Sequence, residues 1–102
     1  MKTKDKLIEA MKNLADTIEA YNVAEIEYEE AKREIILNDA TYGAAKNEHV
    51  RNAYLAEKLA KEEAKLNKVA FEKRRETLAR DIAEVEWKSE KYDIMLSVGK
   101  IV

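Results

Sequence analysis

One stretch of this chain can break a helix, and it lies near the middle. Residues 38–47 read Asn-Asp-Ala-Thr-Tyr-Gly-Ala-Ala-Lys-Asn, a cluster of turn formers found nowhere else in the 102 residues. The chain has no Pro, and its second Gly is Gly99. A polypeptide with a single interruption folds most simply as two long helices joined by one turn. Composition agrees: 39% of residues are charged, 46% are apolar, and Ala, Glu, Lys and Leu dominate, as in long helices and coiled coils.

The spacing of apolar residues places the helices. Before the break, Leu7, Leu14, Tyr21, Tyr28 and Ile35 recur every seven residues. A companion series starts apolar at Met11 and Ile18 and turns polar at Glu25 and Lys32, with Ile8, Ala15, Val23 and Ile26 beside it. This predicts an amphipathic helix over about residues 5–37, roughly 47 Å long at 1.5 Å per residue, capped by Thr3 or Asp5. The turn spans residues 38–47. Gly43 is suited to positive φ. Asn47 is a good N-cap with Glu48 behind it, and Thr41 is a competing cap.

The second helix is predicted over about residues 48–97, some 75 Å if continuous. Its apolar positions are Leu55, Leu59, Leu66, Ala70, Leu78, Ile82, Val85, Tyr92 and Leu96. Leu66, Ala70, Arg74 and Leu78 step 4-4-4, a stutter that unwinds a coiled coil locally. Phe71, Leu78, Val85 and Tyr92 are seven apart. Two readings stay open, a continuous helix or one bent near 70–78 or 88–89. Glu57–Lys61, Glu76–Arg80 and Glu84–Lys88 are favourable i,i+4 pairs, and Gly99 is placed as a C-cap.

The fold class that follows is all-α: a single domain, 1–102, forming a long antiparallel helical hairpin with the second helix longer. Folding at residues 41–43 brings Leu7 beside Leu78. The remaining overhang carries Ile82, Val85, Trp87, Tyr92, Ile94, Met95 and Leu96. Such an apolar surface is rarely left in water. It predicts a homo-oligomer, dimer or higher, assembled through Leu78, Ile82, Val85, Trp87, Tyr92, Met95 and Leu96. A third helix folding back after Lys88 and Ser89 is the rival arrangement.

Few kinds of chemistry remain. There is no Cys, so no thiolate nucleophile and no disulfide, and the one His, His49, makes no metal cluster. No Gly-rich phosphate loop is present. His49, near the second helix start, reads better as a surface or capping residue than as a base. Glu25, Glu27, Glu29, Glu30 and Glu34 lack the Glu-x-x-His partners of di-metal bundles and read as a solvated acidic face. Tyr21, Tyr28 and Tyr92 lie in the stripes and read as core, and Tyr54 is a further aromatic. No catalytic, cofactor or metal residue is assigned, and an enzyme is not expected. With 19 basic against 21 acidic residues the formal net charge is −2, too small to draw the whole protein to nucleic acid. Residues 58–80 are locally basic, and Lys73, Arg74 and Arg75 are the possible phosphate contacts. Interleaved glutamates favour instead a face complementary to the acidic first helix. No apolar run reaches the length of a membrane span, so no membrane role and a cytoplasmic location are expected.

Residues 43–55, Gly-Ala-Ala-Lys-Asn-Glu-His-Val-Arg-Asn-Ala-Tyr-Leu, resemble the turn of small phage-encoded helical proteins. Those carry a Gly-Lys-Asn-Glu-type turn, then an Arg and a small residue opening a long helix. Lys46, Asn47, Glu48, Arg51 and Ala53 match; Ala44 and Ala45 are an insertion relative to the tighter pattern. The resemblance implies phage or prophage origin, an accessory role and residence in the host cytoplasm. The functional expectation is a structural or protein-interaction module that self-associates through a coiled-coil surface, with another phage or host protein as a further partner. The alternatives are a nucleic-acid-binding accessory protein in phage recombination or replication, or an inhibitor of a host enzyme.

Overall fold

A computed structural model describes residues 2–101 of the chain, and side-chain surroundings for residues 2–99. Among the described residues all regular structure is helical: α1, Lys2–Asn38; α2, Ala40–Gly43; and α3, Glu48–Ile101. They group into two compact units, one made of Met1–Ile18 with Glu72–Val102 and the other of Glu19–Phe71.

In the Glu19–Phe71 unit the end of α1 lies alongside the start of α3, with residue numbers running in opposite directions. Glu27 meets Lys65 at 2.8 Å and Asp39 meets Tyr54 at 2.8 Å. On α1 the covered line is Tyr21, Ala24, Tyr28, Ala31 and Ile35; on α3 it is Leu55, Leu59, Glu62, Leu66 and Val69. Both lines alternate steps of three and four, the period that keeps one helix face turned to a partner. Ala24 and Leu59 are the buried centre.

The connection is built by capping. Asp39 ends α1 and its carboxylate accepts the Tyr42 N–H at 3.0 Å, so it is the N-cap of α2. Asn47 Oδ1 accepts the Val50 N–H at 2.9 Å and caps α3, satisfying one of the donors that a helix start leaves unpaired. Thr41 lies inside α2 instead of capping. Residues 38–47, read from sequence as a turn, therefore hold a one-turn helix. Gly43 closes that helix without positive φ, which no described residue adopts. Gly99 is not a C-cap either, because α3 continues to Ile101.

The other unit repeats the pattern with different side chains. Covered residues on α1 are Thr3, Leu7, Ala10, Leu14 and Thr17; on α3 they are Lys73, Glu76, Arg80, Ala83, Trp87 and Glu90. Ala10, Leu14 and Ala83 are buried. Lys6, Ala10 and Asn13 share one groove with Ala79, Ala83 and Glu86, so numbers again run in opposite directions. Lys6 is thus level with Glu86, about one heptad beyond the register expected from folding at residues 41–43. The covered part of α3 then reaches Glu90, and only residues 91–99 are exposed without interruption.

Two apolar series change role. Met11 is 53% exposed and Ile18 also faces solvent. The true companion of the Leu7 and Leu14 line is made of small residues, Thr3, Ala10 and Thr17. Small side chains let two helices approach closely, and the intervening Leu residues then fill the seam. On α3 the covered line passes straight through Lys73, Glu76 and Arg80. The 4-4-4 stutter read from the large apolar residues is absent from the burial pattern.

Candidate interaction surface

The residues predicted to form a contact surface divide between two sides of α3. At about 100° per residue, Lys73, Glu76, Arg80, Ala83 and Trp87 fall on one side, toward α1. Leu78, Ile82, Val85, Ser89, Tyr92 and Leu96 step 4-3-4-3-4 along the opposite side. Leu78 is 60% exposed, Ile82 50%, Val85 66% and Tyr92 62%, with Leu96 and Met95 also open. Within the unit that contains it, α3 therefore carries two seams. The covered one is mostly charged or small, and the open one is apolar except for Ser89.

Trp87 does not belong with the open stripe. It is half-buried on the α1 side. The spacing already sets it off the Val85–Tyr92 series, but its size and place in the overhang put it among the expected interface residues; its angle about the helix turns it toward α1 instead. Charges border the open stripe. Asp81 and Lys88 lie along one edge, Glu86 and Asp93 along the other. Asp81 accepts from Arg80 at 2.9 Å, and Lys88 lies 3.1 Å from Glu84, the i,i+4 pair expected from sequence. These are exposed pairs of small energetic weight.

The candidate phosphate contacts do not form one basic face. Lys73, Arg74 and Arg75 are consecutive on a helix, so each points about 100° from the next. Lys73 is half-buried on the α1 side, Arg74 and Arg75 are exposed, and Arg75 lies 3.7 Å from Glu76.

The other sequence candidates are scattered. His49 is exposed in the first turn of α3. Glu25, Glu27, Glu29, Glu30 and Glu34 are exposed along α1, with Glu27 engaged by Lys65. Among the described residues no group of three or more His, Asp and Glu side chains is placed to hold a metal. No described helix is long and apolar enough to cross a membrane. Tyr21, Tyr28 and Tyr54 are half-buried, whereas Tyr92 is open.

One polar cluster escaped the sequence reading. The Asp39 carboxylate accepts from both the Tyr42 N–H and the Tyr54 hydroxyl, 15 residues on. These bonds, the backbone N–H first, hold the Asp39 carboxyl below its ordinary pKa. The same bond to Asp39 raises the Tyr54 phenol. Lys58 lies over the Tyr54 ring, 5.5 Å from its centre. Farther along, the hydrogen bond and charge of Glu27 raise the Lys65 ammonium. The cluster ties α3 to the connection; it presents no nucleophile and base together. The signal available in sequence was Asp39 itself, an N-cap type followed three residues later by a helical Tyr42.

No protein-family model, no curated protein and no solved structure matches this chain.

Proposed function

We propose that this chain is a non-enzymatic protein-interaction module: a long antiparallel helical hairpin that self-associates through the outward face of α3. The supporting observation is the stripe of Leu78, Ile82, Val85, Tyr92 and Leu96, laid out at coiled-coil spacing and left 46–66% exposed. Scattered apolar residues on a surface are ordinary, but a heptad-spaced row is the pattern of a helix that packs against another. The turn at residues 43–55, similar to that of small phage-encoded helical proteins, supports a phage origin and an accessory role in the host cytoplasm.

The test is absolute mass by light scattering on a sizing column, for the wild type and for the double variant Ile82→Ala, Val85→Ala. The wild type should run as an oligomer. The variant should lose roughly 2–4 kcal/mol of assembly free energy and dissociate, with its helical circular dichroism retained. An unchanged mass in the variant sinks the proposal. A wild-type mass that rises on adding single-stranded DNA, and falls back with salt, would favour the nucleic-acid reading instead.

A further inference from the structure

The bordering charges carry the proposal further, to the orientation of the second copy; this step rests on the self-association proposed above. We infer that two copies pair through the α3 stripe as antiparallel helices, with Ile82 of each level with the partner's Val85 and Leu78 level with the partner's Ser89. A closed pair of identical chains needs a patch that is complementary to itself, and three registers satisfy the apolar spacing.

In a parallel pair, each Lys88 approaches the partner's Asp93, but each Asp81 approaches the partner's Glu86. The gain and the repulsion cancel. In the antiparallel pair of fullest overlap, Val85 opposes the partner's Ser89. Lys88 then meets the partner's Lys88 and Glu86 meets the partner's Glu86, both near the two-fold axis. Sliding this arrangement by one heptad places Asp81 of each copy beside the partner's Lys88, twice per dimer. Over residues 78–89 no like charges then face each other, because Glu86 lies beside the partner's Ala79. Arg75 becomes level with the partner's Tyr92, where a guanidinium can lie over the exposed ring. Flanking charges are weaker than the apolar layers, but among registers with similar apolar contacts they set the orientation.

The area is of the right order. The open parts of Leu78, Ile82, Val85 and Tyr92 amount to roughly 400–500 Å² per copy, roughly 800–1,000 Å² for the pair, the size of a weak, concentration-dependent interface. Leu78, Val85 and Tyr92 lie on the face opposite α1, and Ile82 lies at its edge, where it also borders the groove beside Ala10 and Ala83; pairing leaves the buried Ala10 and Ala83 in place.

Charge exchange on the intact chain tests the register. Asp81→Lys and Lys88→Asp should each weaken the dimer about tenfold, since two exposed pairs turn repulsive. The double variant should return to the wild-type dissociation constant, measured by light scattering over a dilution series at low salt. A parallel pair predicts that Asp81→Lys tightens the dimer, which would overturn the orientation. The fullest-overlap register predicts no rescue in the double variant, which would overturn the register while leaving self-association in place. A wild type that is monomeric at every concentration would overturn both. Because the chain has no Cys, an equal mixture of the single variants Ile82→Cys and Val85→Cys adds a second readout. It should form covalent dimers on oxidation, and neither variant alone should.

Discussion

Replacing Ala83 by Leu separates the two faces of α3 most sharply. Ala83 is 7% exposed and shares its groove with Ala10, which is 8% exposed. The two helices meet there through small side chains, so a Leu at 83 either pushes α1 and α3 apart or turns along the groove in a less favoured rotamer. Overpacking of this kind costs about 1–3 kcal/mol. For a chain of this size each kcal/mol shifts Tm by roughly 4–8 °C, so Ala83→Leu should lower Tm by about 4–20 °C. The control is Ala64→Leu, at an exposed position of the same helix turned away from the covered line; it adds the same volume with a change within about 0.5 kcal/mol. Thermal unfolding followed by circular dichroism, at one protein concentration, reads both. If the large apolar residues Leu78, Val85 and Tyr92 faced α1 instead, Ala83 would lie near the outside and Ala83→Leu would be silent. A Tm equal to that of wild type would refute the assignment of faces.

Leu59→Ala should be the most damaging truncation in the Glu19–Phe71 unit, since Leu59 is 2% exposed, and buried Leu→Ala changes cost about 2–5 kcal/mol; urea unfolding measures it. Gly43 and Gly99 are both helical, with nothing within 4 Å of a built Cβ, so Gly43→Ala should raise stability by about 0.4–1 kcal/mol, and Gly99→Ala should increase the helical signal. The lowered Asp39 pKa contributes stability that is present above the unfolded carboxylate value of about 3.9 and is lost as pH falls through the lower folded value. Asp39→Asn should therefore narrow the gap in Tm between neutral pH and strong acid. The raised Tyr54 and Lys65 values act at the other end: their contribution is complete below about pH 10 and is lost as pH rises through the folded values. The Tm difference between wild type and Tyr54→Phe should shrink in strong alkali, and a difference independent of pH would contradict the Asp39–Tyr54 linkage.

Much of the fold is legible because turn chemistry is local. Asn47 caps α3 through its own side chain three residues back from Val50, and nothing distant is needed to see it. The seam was harder. Leu7 and Leu14 announce themselves by size, but their partners Ala10 and Thr17 do not, and Met11 and Ile18 draw the eye to the wrong line. On α3 the same bias is stronger, since Leu78, Ile82 and Val85 outweigh Glu76, Arg80 and Ala83 on any hydropathy count. Which of two heptad series faces α1 is decided by how closely the helices approach, a tertiary quantity that small residues set. The turn was misplaced by a few residues: 41–43 look like a reversal, yet Asp39 caps them into a helical turn and the helical chain resumes only at Glu48. The open stripe was readable by spacing, and so was the place of Trp87 off it; that Trp87 is half-buried and not open with the stripe was not.

The account turns on α3 having a covered seam at Ala83 and an open stripe at Val85 that a second copy closes. Thiol labelling tests this directly, because the natural chain has no Cys to interfere. Single variants Ala83→Cys and Val85→Cys are labelled at low and at high protein concentration. Ala83→Cys should label slowly at both, and Val85→Cys should label fast when dilute and slowly when concentrated. Val85→Cys labelling that is equally fast at every concentration, or Ala83→Cys labelling as fast as Val85→Cys in the dilute sample, would contradict it.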